Sequence, residues 1–82
     1  MTLSVLGDAL LAKSRHVIQG DCVTLNFTSV VCESDTGNDE YMYWIELLSS
    51  EGYPIMKEIS HDFIAASDIH DRLKKVIGPA ID

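Results

Sequence analysis

Hydrophobic positions recur along the chain with two different periods, and the change of period divides it into helical ends around an extended middle. In Thr2–Arg15, residues Leu3, Leu6 and Leu10, with Val17 just beyond, fall in one narrow arc at about 100° per residue. Val5, Ala9 and Leu11 flank that arc, while Ser4, Asp8 and Arg15 cluster opposite. The pattern predicts an amphipathic N-terminal helix, capped by Thr2 or Ser4. Lys13, Arg15 and His16 fall in its last turn, where cations complement the helix dipole. Gly7, close to the apolar arc, would let the helix backbone approach a sheet, or would be an indifferent glycine costing about 1 kcal/mol of helix propensity.

After Gln19-Gly20-Asp21 the period falls to two. Val23, Leu25 and Phe27 alternate with Cys22, Thr24, Asn26 and Thr28, as in a half-buried strand. The alternation slips at Ser29-Val30-Val31, where a bulge would reset the inward face. Asp35-Thr-Gly-Asn-Asp39 supplies residues that tolerate positive φ or make local side-chain bonds, which predicts a loose five- or six-residue loop.

The second strand, Glu40–Leu48, is the most diagnostic stretch. Tyr41, Tyr43, Ile45 and Leu47 form one face, and Met42, Trp44 and Leu48 form the other, with only Glu46 polar between them. A strand apolar on both faces is expected to be covered on both sides. Ser49–Gly52 closes it, and Tyr53–Ile59 reads as a third strand with Pro54 near its start, where a missing N–H does little harm.

From Ser60 to Ile77 the helical period returns, with Ser60 and Ser67 as cap candidates. Phe63, Ala65 and Ala66 face inward in the first part, and Ile69, Leu73, Val76 and Ile77 share one arc in the second. Asp68/Arg72 and Asp71/Lys75 form acid-before-base i,i+4 pairs, and Gly78-Pro79 ends the helix. One helix and a pair broken at Ser67 both fit. The expected fold class is therefore α+β. It has an N-terminal helix, a three-stranded antiparallel β-meander and a C-terminal helix or helix pair (α-β-β-β-α), with the helices on one face of the sheet. Residues 1–82 make one small domain.

Charge sharpens this picture. The formal net charge is −7, and no Lys or Arg occurs between His16 and Met56, where Asp21, Glu33, Asp35, Asp39, Glu40, Glu46 and Glu51 carry it all. Such a balance disfavours direct contact with nucleic-acid phosphates and favours basic protein surfaces. No apolar run reaches the roughly 18–20 residues that span a bilayer. Met1–Asp8 lacks a basic n-region, so no membrane association and a cytoplasmic location are expected. Cys22 and Cys32 on one strand would stand roughly 33 Å apart, far beyond the about 5.5–6 Å that a disulfide requires. Two free thiols in a reducing compartment follow.

Chemistry is sparse. His61-Asp62 and His70-Asp71 repeat a His-Asp pair, but their spacing fits no usual metal-ligand pattern, and the histidines are expected at the surface or its boundary. The cysteines have no cation nearby in sequence to lower a thiol pKa. Asp35–Glu40 offers oxygen ligands without the frame of a Ca²⁺ loop. Tyr41, Tyr43 and Trp44 lack the basic residues of an RNA-stacking platform, so packing accounts for them better. No catalytic residue, metal or cofactor is assigned.

The expected function is a small, acidic, non-catalytic protein-binding module. Its partner-binding residues would be Glu33, Asp35, Asp39, Glu40, Met42, Trp44, Glu46 and Leu48, meeting a protein with a basic surface. An inhibitor that occupies a nucleic-acid-binding surface, of the phage or mobile-element anti-defence kind, fits this description. The alternative is a homodimeric structural or regulatory module that self-associates through the Trp44 face.

Overall fold

The computed structural model describes residues 4–81, and Thr2 and Leu3 of the expected N-terminal helix lie outside them. The chain runs β1 (Ser4–Ile18), β2 (Asp21–Glu33), β3 (Asp39–Leu48), β4 (Pro54–Ser60) and α1 (Phe63–Ile77). The strands form one antiparallel sheet in the order β1-β2-β3-β4. This corrects the expected α-β-β-β-α architecture on two counts. The sheet has four strands rather than three, and the N-terminal segment is the first of them rather than a helix.

The physical reason lies in two irregularities of β1. Its pairing with β2 slips between Val5 and Gly7 and between Leu10 and Ala12, so Leu6 and Leu11 are each an extra residue. Counting across these bulges, Val5, Asp8, Leu10, Lys13, Arg15 and Val17 share one face of the sheet. Gly7, Ala9, Ala12, Ser14 and His16 share the other. The residues a helix would gather in one arc are instead divided: Leu6 is an extra residue at a bulge, while Leu10 and Val17 share a sheet face with Asp8 and Arg15, which the helical pattern sets opposite them. The turn that follows is a tight hairpin. Ile18 pairs with Asp21, and both residues between them take positive φ, Gln19 at 50° and Gly20 at 86°, the handedness of a type I′ turn. Gly7 serves no close approach, since an added Cβ there would meet nothing within 4 Å.

The expected bulge at Ser29-Val30-Val31 does not form, because β2 and β3 pair without interruption from Thr24↔Leu48 to Glu33↔Asp39. The slip in hydrophobicity instead moves the buried residues from one face of β2 to the other. Val23, Leu25 and Phe27 join Ile45, Leu47 and Ala66 in a core beneath α1. Val30 and Cys32 join Met42 and Trp44 in a smaller cluster on the opposite face, toward the β2–β3 hairpin. Both thiols are free.

The two longer loops, Ser34–Asn38 and Ser49–Tyr53, share one design. In each, the first residue's N–H bonds the fifth residue's carbonyl, Ser34 to Asn38 at 3.0 Å and Ser49 to Tyr53 at 2.8 Å. The fourth residue is glycine at positive φ, Gly37 at 81° and Gly52 at 87°, and its N–H returns to the first carbonyl.

Helix α1 is a single helix. Its N-cap is Asp62, whose carboxylate accepts from the N–H of Ala65 at 2.9 Å, while Ser60 exchanges hydrogen bonds with the backbone of Asp62 one step earlier. Ser67 lies within the helix, because no glycine or proline interrupts Phe63–Ile77. The helix buries Ala66 and His70 and half-buries Ile69, Leu73 and Ile77, whereas Val76 points outward. Asp68 and Arg72 form the expected ion pair. Asp71 instead lies 3.4 Å from His70 Nδ1. At about 1.5 Å per residue, 15 residues give a helix roughly 22 Å long, against a longest molecular dimension of 46 Å. It therefore covers one half of one sheet face.

Candidate functional site

Because Ile45 and Leu47 pack beneath α1, the alternate residues of β3 face away from the helix. Glu40, Met42, Trp44, Glu46 and Leu48 thus share the open face, and strand register extends them into rows. Leu10, Thr28, Trp44 and Ile59 stand side by side across all four strands, as do Lys13, Asn26, Glu46 and Lys57. Asp8, Val30 and Met42 form the next row toward the hairpin, and Val5, Cys32 and Glu40 the one beyond. The β3 strand does carry an apolar set on both faces, but part of the second set is buried within the sheet itself. Val30 is 0% and Met42 6% exposed, although no helix among the described residues lies over them.

The register also changes the charge picture. Along the chain the acidic window contains no base, yet Glu46 stands directly opposite Lys57. The Lys57 ammonium lies 3.7 Å from the centroid of the Trp44 ring, a cation–π contact that half-covers the indole. Lys13 stands one strand beyond Asn26 in the same row. The negative charge is therefore concentrated at the hairpin end. There Glu33 and Asp39 are paired residues, Asp35 sits in the loop between them, and Glu40 and Asp8 flank the Val30–Cys32–Met42 cluster. Glu33, Asp35, Asp39 and Glu40 are exposed, Trp44, Glu46 and Leu48 are half-buried, and Met42 is buried. The structure brings all eight onto the hairpin and one face, with Met42 as packing beneath the others.

Strand β1 adds residues that the helical pattern conceals. Val5, Leu6, Leu10 and Leu11 are 56%, 54%, 56% and 48% exposed. They border the open face and the outer edge of the sheet. Their signal in the sequence is their number, since a strand with two bulges has more leucines than one inward face can take.

On the helix side, two histidines correct the expectation of surface positions. His16 is fully buried and His70 nearly so. His16 Nε2 lies 2.7 Å from Ser14 Oγ, and His16 Nδ1 lies 3.0 Å from the carbonyl oxygen of Gly78. Nδ1–H therefore donates to Gly78, and Nε2 accepts from the Ser14 hydroxyl. This is the hydrogen-bond order of a nucleophile and its base, with a carbonyl in the third place. It lies in packed interior at the C-terminus of α1, apart from the cavity of about 370 Å³ lined by Ile18, Asp21, Val23, Leu47, Glu51 and Ile55. His70 stacks on Phe27 at 5.2 Å between ring centroids, beside Tyr43 and Phe63. These aromatics close the core beneath the helix.

Among the described residues, no group of three or more His, Cys, Asp or Glu is placed to hold a metal ion. No helix among them is long and apolar enough to cross a membrane. No known protein family, curated protein or solved structure matches this chain.

Proposed function

We propose that the chain is a non-catalytic protein-binding module that receives a basic partner protein on the hairpin end of its open sheet face. The observation that carries this reading is the joint placement of charge and apolar surface at that end. Asp8, Glu33, Asp35, Asp39 and Glu40 lie at the same end of the sheet as exposed Val5 and Leu6, and no Lys or Arg stands in the paired rows of that end among the described residues. Apolar contact would supply affinity there, and the carboxylate rim would supply orientation and on-rate. Occupation of a partner's nucleic-acid-binding surface is the inhibitory form of the same proposal.

The test is capture of partners from lysate by the intact protein and by a Glu33→Gln, Asp35→Asn, Asp39→Asn, Glu40→Gln variant. Each captured protein is then identified and titrated at about 50 to about 300 mM salt. The expected result is a basic partner whose affinity falls with salt and is lost in the variant. Equal recovery by both forms, or binding indifferent to ionic strength, overturns the proposal.

A further inference from the structure

The two edges of this sheet are treated differently. Strand β4 is seven residues long, begins at Pro54, carries Lys57 and Glu58 and packs in part against α1, the usual means of blunting an edge. Strand β1 is fifteen residues long and exposes Val5, Leu6, Leu10 and Leu11. Only the far end of its outer edge is engaged among the described residues, where the N–H of Ile81 donates to the carbonyl of Arg15 at 2.8 Å. That bond shows that the backbone groups of Arg15 point away from β2. By alternation, with Leu11 counted as the bulge, those of Lys13, Leu10 and Asp8 point outward too. The side chains of these three share the open face, so the bare edge reads Asp8, Leu10, Lys13.

From this we infer that β1 pairs antiparallel with β1 of a second copy of this chain, about a two-fold axis at Leu10, to give a continuous eight-stranded sheet. The edge is self-complementary in that one register. With Leu10 opposite Leu10 of the second copy, Asp8 stands opposite Lys13 of the second copy, and the symmetry makes the same pair again. Ala9 and Ala12 also oppose each other, and the bulged Leu11 falls within the seam. Directly opposed residues of opposite charge stabilise a sheet, and like charges oppose pairing. Centring the axis on Asp8 or Lys13 sets like charges against themselves. Centring it on Ala9 leaves both charges opposite apolar residues. Centring it on Ala12 sets Asp8 opposite Arg15, whose outer edge Ile81 already occupies; in the Leu10 register only Val5, beyond the Asp8–Lys13 pairs, would reach Arg15, so the seam ends at those pairs. A bulged, charged edge ordinarily resists pairing, but here leucines occupy the middle and the flanking charges are of opposite sign. A perpendicular two-fold also puts both open faces on the same side, with the acidic hairpins at opposite ends. This inference does not rest on the basic-partner proposal, because Glu33, Asp35, Asp39 and Glu40 take no part in the seam and only Asp8 is common to both surfaces.

The experiment is sedimentation of the full chain at micromolar to submillimolar concentration, with Asp8→Lys, Lys13→Asp and an equimolar mixture of the two variants. Each single reversal sets like charges opposite one another twice, so each alone is expected to weaken dimerisation by about tenfold or more. In the mixture, one copy carries two lysines and the other two aspartates, both pairs attract, and a heterodimer is expected. Both residues are on the surface, and circular dichroism confirms that the variants fold. A wild-type protein that stays monomeric over this range overturns the inference. So does a dimer indifferent to either reversal, or a mixture that remains monomeric.

Discussion

His16 Nδ1 lies 3.0 Å from the carbonyl oxygen of Gly78, so the first strand holds the last residue of the helix cap 62 positions away. Together with the bond from Ile81 to Arg15, this contact fixes both the direction of α1 and the end of the free β1 edge. One imidazole satisfies the half-buried Gly78 carbonyl and the buried Ser14 hydroxyl.

Replacing it is therefore costly in two ways. His16→Ala removes a fully buried ring and leaves both partners without their hydrogen bonds, and a loss of about 2–4 kcal/mol is expected in urea unfolding. Ser14→Ala should cost less, about 1 kcal/mol, because only one bond goes. The double variant should cost less than the sum of the two, with a coupling of about 0.5 kcal/mol or more. Additive losses would show that the two side chains do not act as a unit.

Trp44 and Lys57 give a second check, on the open face. Trp44 is the single tryptophan of the chain, so its emission reports the cover that Lys57 provides. Lys57→Ala is expected to shift the emission to the red as water reaches the indole. It should also cost about 0.5–1 kcal/mol, the usual worth of an exposed cation–π contact. Lys74→Ala, on the helix, should leave the spectrum unchanged. An unmoved spectrum in Lys57→Ala would remove the contact.

The places where pattern and structure part have physical causes. Strands β2, β3 and β4 lie over the stretches whose alternation predicts strands, because their pairing is regular or nearly so. Helix α1 is marked by its apolar arc and by Gly78 after it, although its N-cap is Asp62 rather than Ser60 or Ser67. Strand β1 is not legible by alternation, since the extra residues Leu6 and Leu11 convert a two-residue period into steps of three and two. The Gln19-Gly20 turn is likewise a weak hairpin signal, because Gln is an unusual residue at the first positive-φ position of a two-residue hairpin. Alternation alone places Glu40, Met42, Trp44, Glu46 and Leu48 on one face. It could not show that Lys57 stands opposite Glu46, since cross-strand neighbours depend on register. Nor could it show the buried His16, whose partner at Gly78 is set by where the helix ends.

Glycine positions separate backbone strain from packing. An added Cβ at Gly37, Gly52 or Gly7 would meet nothing within 4 Å, so steric crowding is equal and only φ distinguishes them. Gly37→Ala and Gly52→Ala, at φ of 81° and 87°, should each cost about 1–2 kcal/mol. Their shared loop geometry predicts similar values. Gly7→Ala, in an extended strand, should be neutral or stabilising by up to about 1 kcal/mol, through the lower entropy of the unfolded chain. Thermal unfolding of the three variants checks the order. A Gly7→Ala loss as large as the other two would mean that β1 is not extended at that point.

The two faces of the sheet can be weighed against each other with one substitution on each. Val23 is 3% exposed beneath α1, and Val30 is 0% exposed on the open face with Cys32 and Met42 around it. Each Val→Ala change deletes two buried methyl groups, so each should cost about 2 kcal/mol if both clusters are packed to the same density. Their local effects should differ. Val23→Ala loosens the half of the sheet that α1 clamps, and its cost should appear in global unfolding. Val30→Ala should in addition speed amide exchange in Val30–Glu33 and Asp39–Met42, because no second layer holds that hairpin once its own packing is weakened. Amides of Leu25 and Ile45 should keep wild-type protection relative to the reduced global stability. A cost below about 0.5 kcal/mol for Val30→Ala, with unchanged exchange at the hairpin, would mean that the small cluster contributes little and that the acidic end is held by strand pairing alone.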